Sequence, residues 1–155
     1  MRLRLLQPEA SRDKSVQLHF NKGLAGASAA AIAATKNTAT NPAVCDAFCL
    51  AIIADGERPS YPGLQRPVMD VAAANENARK ISSASAQLRK IVPNAGSYVS
   101  ESNYFNSEWQ RAYWGLNYER LRSVKRKYDP SGLFFVHHGV GSEEWSTDGF
   151  ARVAS

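Results

Sequence analysis

The sequence predicts an α+β fold, and three observations carry that reading. The stretch "SVQLHF" at 15–20 alternates polar and apolar residues, with Val16, Leu18 and Phe20 on one side, the pattern of a half-buried strand. Apolar residues recur at three- and four-residue steps across about 68–92, the spacing of an amphipathic helix. The order along the chain is strand, helices, strand, helices, strand, with three short strands at most; an α/β arrangement is the alternative for the same order. Three strands among so many helices make a thin sheet, whose edges need partners.

The elements follow in order. After the first strand, Gly23 and Gly26 loosen the junction, and the alanine-rich run to Ala39 reads as a helix by propensity. Asn41-Pro42 breaks it and starts another helix, with Pro42 at the first helical position and Val44, Cys45, Phe48, Cys49 and Ile52 at helical spacing. "DGERPSYPG" at 55–63 is a turn-rich loop. The long helix then carries Val71, Ala74, Ala78, Ile81, Leu88 and Ile91 on its apolar face, opened by Pro67 and closed by Pro93. "GSYVSES" at 96–102 reads as a strand with Tyr98 and Val99 pointing to opposite faces. "NSEWQRAYW" reads as a helix capped by Asn106 or Ser107. Gly115 interrupts, and a second helix runs from about 116 to 128, with Trp114, Tyr118, Leu121, Val124 and Tyr128 as its stripe. "DPSG" is a turn, and "LFFV" at 133–136 is a short strand or extended segment.

Composition excludes several classes of function. Apolar residues make up 44% and charged residues 21% of the 155, a globular balance rather than a disordered one. The formal net charge of +5 attracts anions only weakly beyond a Debye length of about 8 Å. No apolar run of about 18 residues exists to span a membrane, and "MRLRLLQPEASRDK" lacks the apolar centre of a secretory signal. No membrane contact is expected, and the compartment is not legible.

Four groups of residues invite a chemical reading. Cys45 and Cys49, spaced i,i+4 on one expected helix, suit core packing better than a disulfide or a metal pair. Arg120, Arg122, Lys125, Arg126 and Lys127 suit the solvated face of an amphipathic helix, where cations near the C-terminus also favour the dipole; phosphate binding and contact with an anionic cofactor are the alternatives. His137 and His138 point to opposite sides if the segment is extended, so they cannot readily share a metal; structural hydrogen bonding is the simpler reading, with ligand or catalytic duty open. Tyr98 and Tyr118 are either ordinary core tyrosines or phenols facing a cofactor, where a lowered pKa would let one take a substrate proton. No metal site and no nucleic-acid partner are expected.

The run "SYVSESNY…EWQRAYWGLNYERLRSVKRKYDPSGLFFVHHGVGSEEW" resembles the C-terminal segment of berberine-bridge-enzyme-like flavoproteins, of the vanillyl-alcohol-oxidase class of FAD-linked oxidoreductases. "LHFNKGLAGA" and "NPAVCDAFCLAIIADG" are similar to the substrate domain that precedes that segment. Ser100 and Asn103 stand where the family pattern has Asn and Asp. The resemblance implies residues 1–13 as a tail, 14–92 as the end of a sheet-and-helix substrate domain, 93–145 as the returning berberine-like segment, and 146–155 as a second tail. It implies FAD as cofactor, a small-molecule donor such as an alcohol or sugar as substrate, Tyr98 as candidate base, and Asn117 and Tyr118 against the flavin. The chain has no glycine-rich pyrophosphate loop of the family's kind, so it is expected to be part of a larger two-domain flavoprotein fold that does not retain FAD alone. Self-association through exposed sheet edges is expected as well.

Overall fold

The computed structural model describes residues 14–21, 23–56 and 70–153. Helices and a small sheet make it α+β, divided into two compact units: residues 1–21 with 48–94, and residues 22–47 with 95–155.

In the first unit, β1 (Gln17–Phe20) pairs antiparallel with β2 (Cys49–Ile52), Gln17 opposite Ile52 and Phe20 opposite Cys49. The first strand therefore lies where the alternation puts it, although Phe20 is largely exposed, its one aromatic contact among the described residues being Phe48, ring centroids 6.2 Å apart. Among the described residues these are the two strands of the only sheet. The long helix is α3 (Val71–Ile91), with the Asp70 side chain accepting from Ala73 N at 3.0 Å and Arg89 and Lys90 in its last turn. Its covered line runs through Ala74, Ile81, Ala84, Leu88 and Ile91, with Ala84 fully buried. Val71 and Ala78, expected on that face, are exposed. Pro67 and most of the loop at 55–63 lie outside the described residues.

In the second unit, α1 (Ala29–Lys36) begins at Ser28, whose hydroxyl accepts from Ala31 N at 3.2 Å. The short α2 (Ala43–Asp46) follows Pro42. The expected helix through Ile52 is corrected here: Ala47 is extended, with φ −78° and ψ 134°, and "CLAI" is β2. A brief apolar run satisfies both periods, and pairing with Gln17–Phe20 decides between them. Cys45 and Cys49 consequently share no helix face; both are free thiols. The helices α4 (Trp109–Trp114) and α5 (Tyr118–Tyr128) flank Gly115, whose φ of 53° ends the first of them. The core is aromatic: Trp109, Tyr113 and Tyr118 are buried, with Ala112, Trp114 and Val140 packed on them.

Two further expectations are corrected. The stretch 96–102 is not a strand. Tyr98 precedes a single 3₁₀ turn, Val99–Glu101, closed by Glu101 N donating to Tyr98 O at 3.1 Å and by the Ser102 hydroxyl donating to Val99 O at 3.0 Å. A serine hydroxyl closes such a turn locally, and no strand among the described residues is paired with this segment. "LFFV" is likewise no strand: the Asp129 carboxylate accepts from Leu133 N at 2.9 Å and Phe134 N at 3.1 Å, which curls the chain into the turn that "DPSG" begins.

Candidate functional site

Three sequence-derived candidates fall in the second unit, and the start of α5 organises two of them. Asn117 stands just before that helix. Its Nδ2 donates towards three backbone carbonyls, Lys36 O at 3.0 Å, Thr38 O at 3.0 Å and Thr40 O at 3.1 Å. Arg120 adds Nη2 to Thr38 O at 2.6 Å. Lys36 ends α1, so the amide satisfies a helix-terminal carbonyl that α1 itself cannot. An aspartate here keeps the shape and loses both protons. Asn117→Asp is expected to destabilise the second unit by about 1–3 kcal/mol, since three carbonyls would then face a carboxylate. Denaturant unfolding, with faster amide exchange at 37–40, checks it.

Tyr118 is buried, edge-on to Trp109 with ring centroids 5.6 Å apart. Its hydroxyl donates to Glu143 Oε2 at 2.5 Å and accepts from Gly141 N at 3.2 Å. Burial first, and then the bond to Glu143, push the phenol above its ordinary value, so it stays protonated. Glu143 and Glu144 also take Arg122 Nε, at 3.3 and 3.0 Å, and Glu144 takes Arg126 Nη2 at 2.7 Å. The hydrogen bond from Arg126 leads the causes that hold the Glu144 carboxyl below its usual range. Lys125 is held by Asp129 and by Phe134 O at 2.8 Å. Four of the five basic side chains of the α5 cluster are thus engaged within the unit, and the fifth, Lys127, lies over the Tyr128 ring at 5.2 Å. Sequence reasoning passed over Glu143 and Glu144, because their partners stand 18 to 25 residues away and no local pattern marks such a pairing.

Tyr98 is different. It is half exposed, and among the described residues its hydroxyl has no hydrogen-bond partner. No hydrogen bond or ring contact links it to Asn117 or Tyr118.

His137 and His138 overturn the extended picture. Gly139 N donates to Val136 O at 2.7 Å, closing a turn with His138 at φ 56°. The two rings therefore lie together, centroids 3.8 Å apart. No group of three or more His, Cys, Asp or Glu among the described residues is arranged to hold a metal.

Residues 77–141, which contain Tyr98, Asn117, Tyr118 and both of these histidines, match the family model described as berberine and berberine like. The chain carries a berberine-like segment. An uncharacterised FAD-linked oxidoreductase of Arthroderma benhamiae is 43% identical to this chain over 66 residues, 43% of the chain and 11% of the relative. A VAO-type flavoprotein oxidase of Thermothelomyces thermophilus is 42% identical over 62 residues, 40% of the chain and 11% of the relative. A solved VAO-type flavoprotein of Myceliophthora thermophila shares the fold of 74% of this chain at a TM-score of 0.58 and 26% identity, over 19% of its own length. The chain is thus similar to FAD-linked oxidoreductases of the VAO type in sequence over part of its length and in fold over about three quarters of it. The aligned stretch spans about a tenth of the curated relatives.

Proposed function

We propose that this chain forms the C-terminal, substrate-side part of an FAD-dependent oxidoreductase that oxidises an alcohol, a sugar or a similar small-molecule donor by hydride transfer to the flavin. The observation that carries the reading is the berberine-like match over 77–141, the stretch that holds Tyr98, Asn117 and Tyr118. When bound, FAD supplies the redox chemistry, and the chain's own groups orient and exchange protons. Tyr98 suits the proton-handling role, because its hydroxyl is open and unengaged. Asn117 has committed its N–H groups to backbone carbonyls, so it offers a ligand its Oδ1, an acceptor. Tyr118, with its hydroxyl held by Glu143, contributes by fixing the start of α5 beneath Asn117.

Retention of FAD by this chain alone is expected to be weak, since the sequence supplies no glycine-rich cradle for the pyrophosphate. Gel filtration after mixing with FAD should separate flavin from protein. A chimera of the T. thermophilus oxidase with its matching stretch replaced by residues 77–141 should keep its flavin absorbance through the same column. A folded chimera that sheds FAD would overturn the reading.

A second reading, a non-catalytic interaction module, draws support from exposed apolar side chains: Phe105, Leu133, Phe134 and Phe150 are 73–90% exposed. Light scattering distinguishes it, through concentration-dependent self-association without flavin. With its basic cluster engaged internally, the chain is proposed to bind neither nucleic acid nor membranes.

A further inference from the structure

Four rings stack in the second unit, in the order Tyr104, His137, His138, Trp109. Tyr104 lies flat on His137, centroids 4.1 Å apart at 16°. His137 meets His138 at 3.8 Å with a 30° tilt, and His138 lies on Trp109 at 5.2 Å and 12°. The column joins three pieces of chain: the turn at 136–139, the segment around Tyr104, and the first residue of α4, whose indole belongs to the core. His138 holds a left-handed conformation that a non-glycine residue keeps only where its surroundings fix it.

The chemistry of the two imidazoles is unequal. His137 Nε2 lies 3.3 Å from Tyr104 O, and a carbonyl only accepts, so this nitrogen carries a hydrogen. A proton added at Nδ1 of His137 leaves that bond intact and places a cation on the Tyr104 face, a favourable arrangement. His138 has no such provision. It rests against Trp109 and, at 6.4 Å, Tyr113. Among the described residues, the titratable groups with a hydrogen bond or ring contact to the pair are Tyr104 and Tyr113. The segment at 103–106 brings Tyr104. The α4 helix brings Tyr113, with Glu108 and Arg111 paired to each other at 3.2 Å near its start. The turn brings the two histidines themselves. Burial, and then the charge of His137, hold the His138 imidazole below its ordinary value.

We propose that His137 and His138 form a proton-sensitive latch: the pair holds the 136–139 turn against Trp109 with at most one proton on it, and a second proton opens the turn. The inference is independent of flavin binding. Its sign follows from linkage. The unfolded chain binds a proton at His138 near pH 6.5 and the folded one binds it only at lower pH, so stability is full above that pH and falls as pH drops through it. Where the two states differ by one proton, the folding equilibrium constant falls about tenfold per pH unit.

The test is denaturant unfolding of the whole chain between pH 7.5 and 5, with NMR titration of its three imidazoles. The expected result is a loss of stability as pH falls through about 6.5, of at most about tenfold per unit, reduced in His138→Asn and kept in His19→Gln. Asparagine is chosen because it tolerates a positive φ. In the unsubstituted chain His138 should titrate below the ordinary imidazole value, together with a change in Trp109 signals. An unchanged slope in His138→Asn, or an ordinary titration of His138 with no response at Trp109, would overturn the latch. Should the variant fail to fold, the NMR titration of the unsubstituted chain decides alone.

Discussion

Trp109→Ala is expected to lower the stability of the second unit by about 3–5 kcal/mol, the range for truncating a buried tryptophan. The reasons are specific. Trp109 is 7% exposed and stands edge-on to Trp114 at 6.0 Å and to Tyr118 at 5.6 Å, with His138 flat upon it. Removing it leaves three rings facing a void, and rigid rings close a void poorly. The unit has few other buried side chains to share the loss. Unfolding followed by circular dichroism would show it, with separate transitions expected if the two units unfold independently. A loss under about 1 kcal/mol would mean that the indole is not the centre of this core.

Gly132→Ala comes next. Gly132 has φ +68°, and a Cβ there would overlap the six-membered ring of Trp145. Backbone strain of about 1–2 kcal/mol adds to displacement of a packed indole at about 1–3 kcal/mol, together about 2–5 kcal/mol. Gly26 supplies the control. Its φ is +83°, yet nothing lies within 4 Å of the Cβ it would gain. Gly26→Ala therefore carries the strain alone, and the difference between the two substitutions measures the packing against Trp145. Equal losses would assign both effects to backbone conformation.

Much of this architecture could be read from local pattern. The first strand, the long helix, the break at Gly115 and the turn at 129–132 lie where alternation, period, glycine and Asp-Pro put them. Each is decided within a few residues. The misreadings share a physical cause as well. "CLAI" fits helix and strand equally until Gln17–Phe20 pairs with it. Tyr98 stands in a stretch with strand composition, but the Ser102 hydroxyl and the Glu101 backbone N–H close a turn there. Within the candidate site, the pairing of Asn117 with Tyr118 at a helix start was legible, whereas their partners were not. Thr38 and Glu143 lie 79 and 25 residues from them. The histidine pair was misplaced because a single positive φ at His138 turns an extended dipeptide into a stack.

The carbonyl of Ala112 accepts twice, from Ser97 N at 2.7 Å and from Asn41 Nδ2 at 2.7 Å. Asn41 and Ala112 are 71 residues apart, and the whole first-unit stretch 48–94 is inserted between them. On a ribosome adding 5–20 residues per second, Asn41 waits about 4–14 s before its acceptor is made. During that interval the alanine-rich helix and the Asn41 turn lack the Asn117 amide and the Ala112 carbonyl that later hold them. The second unit is therefore a late-maturing body, exposed to chaperones and to premature pairing until its C-terminal half leaves the exit tunnel.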